Sequence, residues 1–511
     1  MTDWTAGYVA DIGYTFGYYT ELNPLRVKLA FLNAGLVCPE FGTACELGFG
    51  QGISTNIHAA ATVTQWSGTD FNPSQAGFAQ ELAAVAGSDA KLFDQAFNEF
   101  AARTDLPDFD YIGLHGIWSW ISDENRAVIV DFIRRKLKVG GVLYISYNTQ
   151  PGWAAMVPMR DLLTEHSEVM GAAGQGIVPR IDAALEFAQT LLATNPGYAK
   201  ANPQISDRVK KIAEQDRNYV AHEYFNRDWV PMSFADMGRW LEPAKLGFAC
   251  SANYLDFVEA INISADQQAF LNAIPDAMFR QTVHDFMVNQ QFRKDYWVKG
   301  RRTLSPLEQA EGLRSQKVLL TAHRPDVTLK VTGAAGAASL NETIYTPILD
   351  TLADHKPRTL AELEQLTKDK GISFAQLTQA VLILIGAGHV AAVHDDALTP
   401  KIRKRTDKLN AYLMHKARSG GDISYLASPV TGGGITVPRF PQLFLAAYAH
   451  GKKLPAEWAV ATWQILATQG QRILRDGNTL DSAEENLAEL TTQAQTFAHK
   501  LLPILKALQV A

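Results

Sequence analysis

Residues 45–61 read CELGFGQGISTNIHAAA, with Gly48, Gly50 and Gly52 at alternate positions behind Glu46 and ahead of a run of small residues. Glycine at that density lets a backbone turn with positive φ and come close to a ligand. Asp70 closes a second strand-like segment, QWSGTD, and Asp94 a third, AKLFD. A carboxylate at Asp70 can accept both hydroxyls of a ribose, and one at Asp94 can meet the amino group of an adenine. The plainer reading of a lone glycine turn is close helix–strand packing. Three acids at three successive strand ends favour a ligand, because open parallel sheets bind at their carboxyl edge. The spacing is G-x-G-x-G rather than the G-x-G-x-x-G of dinucleotide sites, no Gly-Lys-Ser/Thr follows as in a P-loop, and no Arg or Lys stands nearby for phosphate. A walled-in carboxylate favours a phosphate-free ligand with positive charge. S-adenosylmethionine, with its ammonium and sulfonium, is such a ligand, and Glu46, Gly48, Gly50, Gly52, Asp70 and Asp94 are its candidate contacts.

The elements that must position these residues alternate. TACELG (43–48), QWSGTD (65–70), AKLFD (90–94), FDYIGLH (109–115) and GVLYISYN (141–148) read as strands. Between them lie a small-residue helix through Ala61, PSQAGFAQELAAVA with Pro73 in its first turn, and SDENRAVIVDFIRRKLK. The last opens at Ser122 with acids first, bases last and Gly140 to stop it. Strands separated by such helices predict an α/β, Rossmann-like parallel sheet covered on both faces.

At 511 residues the chain should form about two to four domains. Its net charge of −6 gives no global attraction to nucleic acid or an acidic membrane. Three scattered cysteines, Cys38, Cys45 and Cys250, make neither a disulfide framework nor a metal site and suit a reducing cytoplasm. The start MTDWTAGYVADIGYTFGYY lacks a basic segment ahead of an apolar one, so no signal peptide is read. No apolar run reaches about 18 residues, so no membrane span is expected.

Further along, residues 155–220 read as helical, SFADMGRWLEPAKLGF (233–248) as a helix, ACSANYLDFV (249–258) as a strand and FRKDYWVKG (292–300) as the last strand of the sheet. From Leu304 three helices precede a turn and a short strand, the order of a winged helix. Thr359–Glu362 and Ser373–Gln376 form capping boxes there, as Ser264–Gln267 does earlier. The expected domains are a nucleoside-binding core (1–150), a helical insert (151–230), a segment completing the sheet (231–302), a winged-helix-like module (303–400) and a helical C-terminal domain (401–511). SPVTGGGITVPRFP (428–441) reads as a loop, KIRKRTDK (401–408) as a solvated linker or helix start, and His389 and His394 as surface residues. The third module helix, SFAQLTQAVLILIGAG, has no Lys or Arg, so specific DNA binding is not expected.

The motifs CELGFGQG, GTDFNP, FDYIGLHGIWSWI, GVLYISYNTQPGW and YVAHEYF resemble the class I S-adenosylmethionine-dependent methyltransferases that carry a methyltransferase regulatory domain. The resemblance covers most of residues 10–301 and continues more loosely beyond. Its best-understood members are bacterial protein-lysine methyltransferases acting on outer-membrane proteins, which implies lysine N-methylation, a protein substrate and S-adenosylhomocysteine as product. The opening GYTFGYYTELNPLR departs from the proline-rich entry of those relatives. Methyltransferases of this fold place acceptor-side residues after the fourth strand, where His115, Trp118 and Trp120 stand; His115 would also touch the cofactor. Trp118 and Trp120 would wall the acceptor channel, with Tyr147 and Asn148 supplying polar contacts. His222, Glu223 and Tyr224 would form a lid element, Glu223 orienting or deprotonating an amine. Tyr14, Tyr18 and Tyr19 would cap the cofactor. Packing roles are the competing reading for each aromatic residue. No metal is called for. Other readings are methylation of a small molecule or glycan, and a non-enzymatic sensor of S-adenosylmethionine. A homodimer is compatible with the sequence.

Overall fold

The computed structural model describes residue 5 and residues 7–10, 12–172 and 174–511. Strands β1 (Thr43–Leu47), β2 (Gln65–Thr69), β3 (Lys91–Phe93), β4 (Phe109–Leu114), β5 (Leu137–Asn148), β6 (Leu246–Ser251) and β7 (Phe292–Lys299) form one sheet in the order β3-β2-β1-β4-β5-β7-β6. The first five run parallel, and β7 lies antiparallel between β5 and β6. Strand order reverses between β1 and β4. The two chains leaving those strands part to opposite sides there and open a crevice at the carboxyl edge.

Helices α1 (Pro24–Asn33), α2 (Ile53–Ala61), α3 (Pro73–Ala86), α4 (Phe97–Ala101) and α5 (Asp123–Lys136) flank the sheet. Ser122 caps α5 through the Asn125 N–H, with Asp123 and Glu124 in the first turn and Arg134, Arg135 and Lys136 in the last, each suited to the helix dipole. The helix ends at Lys136 rather than at Gly140, because β5 already begins at Leu137. The insert between β5 and β6 is helical as expected: α6 (Val157–Val169), α7 (Ile177–Ala193), α8 (Gly197–Ala201), α9 (Ile205–Ala213) and α10 (Arg217–Tyr224) enclose a core of their own.

The approach to β6 differs from the sequence reading. The helix starting at Phe234 stops at Leu241, a short turn runs to Ala244, and Lys245 takes a left-handed conformation (φ 60°) that turns the chain into β6. The strand then ends at Ser251, and Tyr254–Phe257 is a short 3-10 helix rather than strand.

Beyond the sheet, β8 (Lys317–Leu320), β9 (Lys330–Gly333), β10 (Gly336–Ser339), β11 (Arg358–Thr359) and β12 (Val390–Val393) are short. Helices Glu342–Thr351, Leu360–Leu366 and Phe374–Gly386 stand where three were expected, and both capping boxes form. They pack on the three-stranded sheet β11-β8-β12, whose central strand the sequence did not reveal. Of the two readings of KIRKRTDK, the helix start holds: it opens the helix Thr399–Lys416, which packs on α2 and α3, Arg405 donating to the Thr62 carbonyl at 2.6 Å. Residues 428–441 are not a plain loop either: β13 (Tyr425–Ser428) and β14 (Gly433–Thr436) make a hairpin that packs on α2. His394 is buried, its Nε2 3.0 Å from the Ala61 carbonyl, and is not a surface residue. No helix among the described residues is long and apolar enough to cross a membrane.

Candidate active site

The glycine turn between β1 and α2 forms one wall of the crevice. Gly48, Gly50 and Gly52 all have positive φ, at 71°, 57° and 69°. At Gly48 a Cβ would run into the Ile117 side chain, and at Gly52 into Ala79 of α3. The first glycine therefore lets the loop after β4 close in, and the third lets α2 and α3 pack. A Cβ at Gly50 would meet only ordinary contacts, Gln75 and Tyr14 at 3.9 Å, so its conformation alone requires glycine. Its N–H donates to Asp70 Oδ2 at 2.8 Å, while the Asn72 N–H donates to Oδ1 at 3.0 Å. Asp70 thus fixes the turn and still offers lone pairs to a ligand. Burial pushes its carboxyl up to about 6, against those two hydrogen bonds.

The crevice holds a cavity of about 410 Å³. Tyr14, Tyr19, the three glycines, Asp70, His115, Trp120, His222 and Glu223 all line it, as the sequence led us to expect. No Lys or Arg is among its described lining residues. Tyr19 stacks on His115 with ring centroids 3.4 Å apart, and His115 Nδ1 lies 2.8 Å from the Tyr144 hydroxyl. Burial holds the imidazole down at about 3. His115 is therefore neutral near pH 7 and shapes the cavity wall.

Helix α10 presents two side chains to the cavity. His222 packs against Tyr8 and Tyr14 at 5.5 and 5.0 Å, its Nδ1 2.7 Å from the Asn218 carbonyl. Glu223 accepts a long hydrogen bond from the Tyr14 hydroxyl at 3.4 Å. Burial pushes its carboxyl up to about 7, with that hydroxyl opposing.

Several expected contacts lie elsewhere. Glu46 is buried beneath the turn, bonded to the Thr55 hydroxyl, and does not line the cavity. Burial lifts it to about 8; Thr55 opposes this and Asp70 adds to it, so it is largely neutral at pH 7. Asp94 is exposed one residue past β3, and Gln95, Ala96, Phe97 and Asn98 line the cavity instead. Trp118 is fully buried in the core between the sheet and its helices, its indole N–H on Met232 Sδ at 3.4 Å, so it is a packing residue. Trp120 does face the cavity, backed by Trp229 with ring centroids 5.9 Å apart. Tyr147 points to the other face of the sheet and donates to Asp295 at 2.9 Å. Asn148 is buried, its N–H on Ser119 Oγ at 2.9 Å. On the crevice side of β5 stand Tyr144 and Ser146, since alternate residues face opposite ways. Tyr224 turns into the core of the insert against Trp153, and Tyr18 lies between His58 and Tyr425 outside the cavity.

The lining residues the sequence reading missed include Tyr8, Phe71, Gln75 and residues 95–98, the last two at the start of α4. Phe71 and residues 95–98 follow strand ends, so the carboxyl-edge rule applied to every βα junction would have found them. Nothing in the pattern of the N-terminal segment marked Tyr8.

Sheet order, glycine turn and strand-end aspartate together define a class I methyltransferase fold. The fold match supports this: PKMT2 from Rickettsia typhi, solved in complex with AdoHcy, superposes with a TM-score of 0.69 over 95% of this chain and 98% of its own, at 18% identity. Residues 216–299 match the family model described as predicted methyltransferase regulatory domain. The protein sll1526 of Synechocystis sp. (strain PCC 6803) is 39% identical over 99% of this chain and all of its own length. Rickettsia prowazekii RP028 is 30% identical over 37% of this chain and 76% of its own. The chain belongs to the family of sll1526, and it carries the methyltransferase regulatory domain.

Proposed function

We propose that this chain is an S-adenosylmethionine-dependent methyltransferase that places the methyl group on an amine nitrogen, a lysine side chain of a protein substrate. The observation that carries the cofactor is the cavity itself: a glycine turn tied to a strand-end carboxylate, buried acids and no Lys or Arg among the described lining residues. Such a pocket suits a cationic, phosphate-free nucleoside. Asp70 would accept the ribose hydroxyls through its remaining lone pairs. Gln95 and Ala96 would border the adenine, taking the place assigned to Asp94. The AdoHcy held by the similarly folded PKMT2 supports the same ligand.

An amine acceptor follows from the chemistry around Glu223. A lysine must lose its proton before its lone pair can attack the sulfonium methyl group. At pH 7 that is uphill by roughly 4–5 kcal/mol for an amine of pKa about 10.4. Aromatic walls at Tyr14, Tyr19 and Trp120 disfavour the ammonium by desolvation and can face a methylated cation. Glu223, poised near 7, would take the proton. Among the other acid–base groups of the wall, His115 is held at about 3 and Asp70 is engaged by two backbone N–H groups.

The helix Phe374–Gly386 bears on the third reading, a non-enzymatic sensor of S-adenosylmethionine. It carries no Lys or Arg for phosphate contact, and Leu377, Val381 and Leu384 are taken up by the module core, which disfavours a DNA-reading role for it. The test is to incubate the purified chain with methyl-labelled S-adenosylmethionine and a lysate of its host. Labelled methyl groups on lysine support the proposal. Base-labile methyl esters, or label found only in small metabolites, would refute the acceptor assignment.

A further inference from the structure

A second cavity, of about 460 Å³, lies where the N-terminal segment meets the elements beyond residue 303. Tyr18, Thr20 and Glu21 belong to its wall, while Gly17 and Tyr19 of the same segment line the nucleoside cavity. The chain from 17 to 21 is a partition with one side toward each space.

Two strands contribute to the wall. β12 pairs only with β8, and β14 only with β13, so each has a second edge without a ladder partner among the described residues. Residues 390–392 and 434–436 of these strands line the cavity. An open edge presents backbone N–H and C=O groups that an added extended strand can satisfy; on β14 the Gly434 N–H is already taken by the Tyr18 hydroxyl, which leaves the Gly434 carbonyl and Thr436. The charged groups suit a polypeptide as well. Lys294 Nζ donates to Glu21 Oε1 at 2.6 Å, and Oε2 has no hydrogen bond among the described residues. Burial pushes the Glu21 carboxyl up, but Lys294 and Arg26 outweigh it and hold it at about 2, fully ionised. Arg26 lies 4.2 Å from the Tyr254 ring centroid and donates to the Ala252 carbonyl at 3.3 Å. The wall therefore offers strand edges and an acceptor for a basic side chain.

We propose that this second cavity holds an extended segment of the acceptor polypeptide, its backbone laid between the open edges of β12 and β14 and a basic side chain turned to Glu21. The proposal rests on the reading of the chain as a protein methyltransferase, since a small-molecule enzyme has no use for such edges. The peptide would lie against the far side of the partition that carries Tyr19, so its occupancy bears directly on the wall of the nucleoside cavity.

Hydrogen exchange on the full chain tests this, with S-adenosylhomocysteine present and the peptide Ac-Gly-Thr-Val-Lys-Val-Thr-Gly-NH2 added at millimolar concentration. The expected result is at least fivefold slower exchange in residues 390–392 and 434–436. Ala391→Trp and, separately, Thr436→Trp fill the cavity from its two strands and should abolish the slowing. S-adenosylhomocysteine affinity should stay within twofold in both, and either variant suffices should the other fold poorly. No slowing in either strand, or slowing that persists in both filled variants, overturns the proposal. Protection of both strands without methyl transfer to any host protein would leave this site standing and remove the catalytic reading. Methyl transfer without protection would do the reverse.

Discussion

Replacing Glu223 with glutamine asks which group takes the acceptor's proton. Passing a proton from an ordinary lysine ammonium to a carboxyl at about 7 is uphill by about 3.4 pKa units, or ~5 kcal/mol. Passing it to an unperturbed carboxyl at 4.5 is uphill by about 6 units, or ~8 kcal/mol. The burial of Glu223 beside Tyr14 thus removes about 3 kcal/mol from the proton-transfer step, before any gain from positioning. Loss of a positioned base commonly lowers rates by about 10²–10⁴, and Glu223→Gln should fall in that range at pH 7. The assay is kcat/KM for methyl transfer between pH 5.5 and 9.5. In the parent protein log(kcat/KM) should rise with unit slope to about pH 7, as Glu223 ionises, and then level off. In the variant it should keep rising towards pH 9–10, following the free amine of the acceptor. A variant within threefold of the parent at pH 7, with the same profile, would refute the reasoning.

Further outcomes follow from the same geometry. Gly52→Ala forces a left-handed residue, which adds about 1–2 kcal/mol of strain, and drives a methyl into Ala79; calorimetry should find at least tenfold weaker cofactor binding and a lowered Tm. Trp118→Ala opens a hole in the core and should lower stability by about 3–5 kcal/mol in urea titration with the cavity wall untouched, whereas Trp120→Ala, also buried but facing the cavity, should lower turnover as well as stability. Burial raises the carboxyls of Glu46, Glu223 and Asp285 to about 8, 7 and 7, so these groups bind more protons in the folded chain than in the unfolded one; buried histidines such as His58 and His115, held down at about 4 and 3, oppose them until the unfolded histidines lose their protons above about pH 7. Stability should therefore fall as pH rises beyond that point: the Tm of the ligand-free protein should drop between about pH 7.5 and 9, and Glu46→Gln should flatten that slope; an unchanged slope would contradict the burial argument.

Much of the sheet is legible in the residues because each βα unit carries its own local signals: a buried run, a glycine or capping residue, then a helical pattern. Ser122 ahead of α5 and Pro73 at the start of α3 mark their helices with no help from tertiary contacts. Which face a strand residue occupies is not legible. β5 is buried on both sides from Gly141 onward or nearly so, and such strands read as continuous apolar runs without alternation. Tyr147 and Tyr144 are equivalent in such a run, yet only Tyr144 meets His115. Asp94 and Asp70 both stand one residue past a strand end, but Asp70 is held inward by the Gly50 and Asn72 N–H groups while Asp94 is exposed, a difference no local pattern records. The hairpin at 425–436 depends on distant partners: His58 Nδ1 lies 3.5 Å from the Gly432 carbonyl, and Asn23 donates to the Thr431 carbonyl at 2.9 Å. No local pattern encodes contacts of that range.

The central claim, a crevice built for a cationic nucleoside without phosphates, is tested most directly by calorimetry of the purified chain with S-adenosylmethionine, S-adenosylhomocysteine and NAD. The first two should bind one per chain and NAD should not. Asp70→Ala should weaken S-adenosylmethionine at least tenfold, because each hydrogen bond to a charged group is worth about 1.5–3 kcal/mol and the Gly50 N–H would lose its anchor as well. Binding of NAD, or an Asp70→Ala variant that holds S-adenosylmethionine as tightly as the parent, would contradict the account.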